Sequence, residues 1–293
     1  MKILITGSSG FIGSHLSPLL SGQHEIYHLS NDLRNHAAVR FEVREKQPDI
    51  IVHLGARTEV EQSFYEQITF SEINYVGTVN LIEISREIPN FKNFVFASTM
   101  EVYGQQPEGT VCDHLTTPYP NAPYAVAKYG CEKYLEYAGR SYNLPYTIIR
   151  QTNCYGRKDN DFFVTEQIIS QMIKNPEEIN LGYAEPYRNF IYIDDMLEAW
   201  TKIINNPEKC NHKIFTLGPD EPIKIRDYVN IIAQKLQWQG EINWDTKPHR
   251  PGEIYWLNSS GKLLEDTLGW KPKVSLSDGL DRTIAWWRNV AKR

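Results

Sequence analysis

Residues 1–16 read MKILITGSSGFIGSHL, and the order of their parts decides the fold. An apolar run, KILIT (2–6), stops at Gly7. Gly10 and Gly13 follow at intervals of three, and a helical pattern, FIGSHLSPLL (11–20), begins between them. A strand that turns sharply into a helix aims free backbone N–H groups and the positive end of the helix dipole over the turn, which suits a pyrophosphate. Gly7 permits the turn, Gly10 lets a ligand approach the backbone with no β-carbon in the way, and Gly13 lets the helix pack closely. The spacing G-x-x-G-x-x-G is one residue longer in its first gap than the commoner dinucleotide fingerprint. Its place behind an N-terminal strand therefore carries the reading, and a purely structural turn is the alternative.

Working outward, EIYHL (25–29), IIVHL (50–54), FVFAST (94–99) and YTIIR (146–150) are further short strands rich in β-branched and aromatic residues. Helical patterns alternate with them: HAAVRFEVREK, SEINYVGTVNLIEISREI (71–88) and YAVAKYGCEKYLEYAGRSY. This rhythm predicts an α/β fold, a doubly wound parallel sheet with helices on both faces. After Asn153 the rhythm loosens. RNFIYIDD (188–195) predicts a strand entering a helix capped by Asp194 or Asp195, KIFTLG (213–218) a further strand, and 225–236 a helix. The expected organisation is a dinucleotide-binding domain over 1–152 and a smaller mixed substrate domain over 153–293, with 189–212 returning to the first.

The chain has 293 residues and a net charge of -5, which argues against a coat for nucleic acid or for an acidic membrane. Cys112, Cys131, Cys154 and Cys210 form no C-x-x-C pair and no His/Cys cluster of zinc spacing, so neither a metal site nor a disulfide framework is expected. No run approaches the ~20 apolar residues of a membrane span. The first strand begins at Lys2, leaving no room for a cleavable signal peptide. A cytoplasmic protein is expected.

The second strand is followed by SNDLRN (30–35). Ser30 at the strand end and Arg34 nearby suit a 2′-phosphate, which an acid would repel, and this favours NADP over NAD. In the alternative register Asp32 holds the ribose and Arg34 is solvated, or Asp32-Leu33 lies beside the adenine. FVFAST ends near the sheet centre, where ligands meet the carboxyl ends of strands, and so places Thr99 and Glu101 before a substrate. Tyr124 and Lys128 are four apart on one helix face. An ammonium beside a phenol lowers the phenol's pKa from about 10, so that Tyr124 can exchange a proton near neutral pH, with Thr99 bonding the same oxygen. Glu101 is equally a base or a solvated strand-end charge.

These residues resemble the extended short-chain dehydrogenases/reductases that act on nucleotide sugars. The resemblance runs through GSSGFIG (7–13), PDIIVHLGA (48–56), NYVGTVNLIE (74–83), ASTMEVYG (97–104), PYAVAK (123–128), RQTNCYG (150–156), RNFIYIDD (188–195), RPGE (250–253) and LGWKP (268–272). It implies that Thr99, Tyr124 and Lys128 are the catalytic triad. It also implies that Gly7, Gly10, Phe11, Ile12 and Gly13 hold the pyrophosphate of NADP or NAD, and that Leu54, Gly55 and Ala56 run along the cofactor. Asn74 would lie toward the nicotinamide. Asn153, Arg188 and Arg250 would grip a nucleotide-diphosphate sugar; a guanidinium is a planar fork suited to phosphate oxygens.

The implied chemistry is NAD(P)-dependent redox at C4 of the sugar, as a 4-epimerase or a 4-ketoreductase. A 4,6-dehydratase with Glu101 as base is the alternative, although Met100 stands where many dehydratases carry an acid. A non-catalytic NAD(P)-binding sensor or scaffold is the alternative of another class. A homodimer through the helix that begins near Tyr124 is also implied.

Overall fold

In strand β1 (Lys2–Thr6) residues 3–6 are all buried, the pattern of a strand covered on both faces. The computed structural model, which describes residues 1–158 and 160–290, sets β1 inside a six-stranded sheet. The other strands are β2 (Glu25–His28), β3 (Ile50–His53), β4 (Asn93–Thr99), β5 (Tyr146–Gln151) and β6 (Lys213–Leu217). Their order is β6-β5-β4-β3-β1-β2, and every pairing is parallel. The chain leaves β1 toward β2 on one side and crosses back to β3 on the other. The carboxyl ends of β1 and β3 therefore splay apart around a crevice, the place where open α/β sheets receive ligands.

Alternate residues of β1 feed two cores. Ile3 and Ile5 pack with Leu16 and Leu20 of α1 (Phe11–Ser21) and with Trp200 and Ile203 of the helix Ile193–Asn205. Leu4 packs on the other face with Val39 and Val43 of α2 (His36–Lys46), Leu81 and Ile82 of α3 (Gly77–Ser85), and Leu135 and Ala138 of α4 (Pro123–Tyr142). Helix α4 starts with Pro123 in its first turn, where the lost N–H is harmless, and ends at Asn143 in the left-handed region. Its buried residues, among them Tyr124, Lys128, Cys131, Leu135 and Ala138, recur at helical spacing against the sheet.

Past residue 152, three two-stranded sheets wrap the carboxyl end: 153–155 with 190–192, 187–188 with 223–224, and 178–180 with 241–243. The strand that extends the main sheet is β6, while the helix Ile193–Asn205, inside the 189–212 segment, packs on α1.

Two local expectations change. The helix over 71–88 opens as a π-turn at Ser71–Val76 before α3 begins. The helix after RNFIY is entered at Tyr192 with no side-chain cap. Asp194 pairs instead with Arg157 at 2.8 Å, and the Asp195 carboxylate accepts the N–H groups of Lys273 and Val274. Both acids sit in the first turn, so the helix dipole favours them there without a cap.

Candidate active site

Gly7 has φ +67°, and a Cβ on it would stand 2.7 Å from the Gly55 nitrogen. A Cβ on Gly13 would stand 2.3 Å from the Gly7 carbonyl oxygen. The turn thus admits no side chain at either position, and the backbone itself forms the cradle. Gly10 is the N-cap of α1 and bonds the Gly7 carbonyl at 3.0 Å, with no side chain closing the helix end. The first helical bond across this end is Ser14 N–H to the Gly10 carbonyl, so the N–H groups of Phe11, Ile12 and Gly13 have no helical acceptor. This open, side-chain-free helix end fits the pyrophosphate of a dinucleotide. Leu54, Gly55 and Ala56 face it from the end of β3 and line the same cleft of about 1100 Å³.

Thr99, Met100, Glu101, Tyr124 and Lys128 also line that cleft. Thr99 ends β4, and its hydroxyl accepts the Glu101 N–H at 3.2 Å, turning the chain so that Glu101 faces inward. Lys128 donates to the Ala97 carbonyl at 2.9 Å and lies 4.8 Å from the Phe96 ring centre. Its Nζ is 6.0 Å from the Tyr124 ring centre.

The phenol is not shifted as the Tyr-Lys spacing predicts. Burial, with the Glu101 charge behind it, pushes Tyr124 above its ordinary value, and the Thr99 hydroxyl only partly offsets them. Burial also lowers Lys128, to about 8. In this state the pair is a neutral phenol beside an ammonium that titrates close to physiological pH.

The opposite wall comes from the second half of the chain. Glu253 joins the two arginines: its carboxylate accepts from Arg250 at 2.7 and 3.0 Å and from Arg188 at 3.4 Å. Arg188 is anchored further on the Tyr187 carbonyl at 2.8 Å. Burial opposes the charge on both arginines; the paired carboxylate overcomes this for Arg250, whereas Arg188 stays depressed. Two guanidiniums share one carboxylate, so this wall carries net positive charge into the cleft. Asn153 lines the cleft from the start of the strand 153–155.

Other expected residues lie elsewhere. Asn74 is fully buried and does not line the cleft; its side-chain amide is spent on the backbone of Arg57, at 2.8 Å in both directions. Leu33 packs into the core beneath α2 and α3. Ser30, Asp32 and Arg34 are exposed at the far corner, outside the cleft lining. Asp32 and Arg34 pair with each other at 2.7 Å, and Arg34 lowers the Asp32 carboxyl to about 2. Ser30 is tied to a residue absent from the sequence reading. Glu42 of α2 accepts from the Ser30 N–H at 3.0 Å, the Ser30 hydroxyl at 2.8 Å and the Asn31 amide at 2.7 Å. Burial works against the Glu42 charge, but these donors hold its carboxyl below the ordinary value. No feature of the sequence marks Glu42 as the partner of the strand end. Glu253, by contrast, was visible inside RPGE.

A family model described as the NAD dependent epimerase/dehydratase family matches residues 3–218. Among curated proteins, a putative UDP-glucose 4-epimerase of Methanocaldococcus jannaschii is 29% identical, with 98% of each chain covered. Two solved structures differ in their chemistry. RMD from Pseudomonas aeruginosa complexed with NADPH superposes with a TM-score of 0.87 at 25% identity, covering 99% of each chain. DesIV, a dTDP-glucose 4,6-dehydratase from Streptomyces venezuelae with NAD and TYD bound, gives 0.88 at 25% identity, covering 99% of this chain and 97% of its own.

Proposed function

The chain belongs to the NAD dependent epimerase/dehydratase family, and from that premise we propose that it is a nucleotide-sugar 4-epimerase that keeps its dinucleotide through the cycle. It is an NAD(P)-dependent enzyme of C4 chemistry on nucleotide-diphosphate sugars. The observation that carries the reading is the meeting, in one cleft, of Thr99, Tyr124 and Lys128 with the Arg188–Glu253–Arg250 wall.

In this reading the arginine wall and Asn153 hold the sugar diphosphate, so that the sugar lies over the end of β4. Tyr124 exchanges the C4 hydroxyl proton. Burial keeps its phenol protonated, poised to donate to a C4 oxyanion. For the reverse transfer, Lys128 stabilises the phenolate while it carries its charge, and Thr99 holds the oxygen in place. Gly7, Gly10 and Gly13 would hold the pyrophosphate of the dinucleotide, whose nicotinamide would supply hydride acceptance and return when bound.

Glu42 favours the epimerase over a 4-ketoreductase. A carboxylate bonded to Ser30, and a second one cancelling Arg34, leave the ribose corner unsuited to a 2′-phosphate. In this reading the corner favours a retained NAD over the NADP that the sequence favours. The reductase remains the second reading, since the structural relative complexed with NADPH is similar over the whole chain. Glu101 lines the cleft as a dehydratase base would, but Met100 beside it supplies no acid.

The test is to denature the purified protein, identify any released dinucleotide by mass, and assay C4 epimers of UDP- and GDP-hexoses without added reductant. Epimer formation with co-purified NAD supports the reading. Turnover only with added NADPH overturns it in favour of the reductase. Tyr124→Phe lowers turnover about 10²- to 10⁴-fold; unchanged turnover removes Tyr124 from the proton path.

The same reading makes the protein a homodimer through α4, on whose face Val126 and Tyr137 stand exposed. Sedimentation as a monomer at working concentration contradicts this. Four unpaired cysteines fit a reducing, cytoplasmic setting.

A further inference from the structure

Four cationic side chains are buried among the described residues: Lys128, Arg150, Lys158 and Arg188. Three of them have protein partners. Lys128 bonds the Ala97 carbonyl at 2.9 Å, Arg150 bonds Glu132 at 2.7 Å and Arg188 bonds the Tyr187 carbonyl at 2.8 Å. Lys158 is the exception. It is 8% exposed and lines the cleft, yet among the described residues its Nζ makes no hydrogen bond and has no carboxylate within ion-pairing distance. Two rings pack on the ammonium, with the Phe163 centre at 3.3 Å and the Phe11 centre at 4.8 Å. An aromatic face offsets part of the cost of burying a cation but satisfies none of its N–H donors.

The acid that acts electrostatically on it, Glu166, also lines the cleft, and both its carboxylate oxygens are buried without partners. Burial raises Glu166 to about 7, so it is an incomplete counter-ion at neutral pH. Phe11 is the first residue of α1, whose opening N–H groups have no acceptor among the described residues. Lys158 therefore stands beside the side chain of the first residue of the open helix end, on the same cleft. Two independent sets of donors, an ammonium and a helix N-terminus, border the same cleft. A group with many anionic oxygens satisfies both, and a single neutral hydroxyl satisfies neither.

We propose that Lys158 is a diphosphate-binding residue of this cleft, donating to the bridged phosphates of a bound dinucleotide or of the nucleotide sugar. Both ligands carry the same chemistry, and the inference rests on the cleft being the dinucleotide and sugar-nucleotide site. Lys158→Met keeps the apolar stem against Phe11 and Phe163 but removes the charge. Lys158→Arg keeps the charge.

The experiment is calorimetric titration of the full-length wild type and both variants with NAD⁺, NADP⁺, UDP and GDP, each variant first checked for native melting. Where a dinucleotide co-purifies, the fraction retained through gel filtration replaces its Kd. Wild-type binding of any of the four probes tests the cleft assignment, and the variants test Lys158. A charged hydrogen bond to phosphate corresponds to a roughly 10- to 100-fold rise in Kd for Lys158→Met, with Lys158→Arg close to wild type. A rise confined to NAD⁺ or NADP⁺ assigns Lys158 to the cofactor, and one confined to UDP or GDP assigns it to the substrate. Natively melting Lys158→Met with wild-type affinity for every probe overturns the proposal while leaving the cleft assignment intact.

Discussion

Two buried charge clusters, Arg150 with Glu132 and Lys158 with Glu166, are built in opposite ways. In the first, Arg150 on β5 grips Glu132 of α4 through Nε and Nη2, and its remaining arm donates to the Tyr103 hydroxyl at 3.0 Å. Ser98 donates to the same Glu132 carboxylate. In the second, Lys158 and Glu166 are also buried, but among the described residues the ammonium makes no hydrogen bond and stacks on rings, and neither carboxylate oxygen has a hydrogen-bond partner. The first cluster lies away from the cleft lining and the second lies on it. Burial alone therefore does not separate scaffold from site. Satisfaction does: a closed network fixes α4, and with it Tyr124 and Lys128, on the sheet, while an open one leaves donors and acceptors for a ligand.

The largest expected effect breaks the closed side. Arg150→Met strands the Glu132 carboxylate in the core and costs about 3–5 kcal/mol, read as a fall in denaturation midpoint. A loss below about 1 kcal/mol would show that the network is not what holds α4.

The open side moves the other way. Glu166 carries a raised carboxyl in the folded state, so its contribution to stability is complete below the ordinary carboxylate range and is lost as pH rises through about 7. Glu166→Gln removes that loss. The variant is expected to be more stable than wild type at pH 8, by up to about 3 kcal/mol, and equal to it near pH 4. Equal stability at both pH values would mean that the carboxylate is satisfied in solution, and the contrast between the clusters would fail.

The smallest effect lies at the exposed corner, where Glu42 is bonded but solvent screens it. Glu42→Gln keeps an acceptor for Ser30 and removes the charge. Binding titrations should show the ratio of NADP⁺ to NAD⁺ dissociation constants falling by about 5- to 10-fold, on the order of 1 kcal/mol. No change in the ratio would remove Glu42 as the discriminator.

The parts legible in the sequence share one property, which is that each depends on local geometry. Alternating strands and helices, the Gly7 turn, the placement of Thr99 at the end of β4, and Tyr124 with Lys128 on one face of α4 all follow from chain periods of two and 3.6 and from the place where a strand must stop. That reading brought Gly7, Gly10, Gly13, Gly55, Thr99, Glu101, Tyr124, Lys128, Asn153, Arg188 and Arg250 to one cleft.

What only the tertiary structure decided involves partners that spacing cannot predict. Glu253 joins Arg188 from 65 residues away. Glu42 reaches back to Ser30 across a loop, Asn74 spends its amide on Arg57 rather than facing a ligand, and Lys158 has no hydrogen-bonding partner among the described residues. The phenol shift belongs here too: four-residue spacing puts Lys128 beside Tyr124, but burial depth sets the direction of the shift, and depth is a property of the whole packed sheet. Local periodicity determines which side chains share a face. Long-range packing determines which of them are desolvated and which are satisfied, and in this protein that distinction separates its framework from its site.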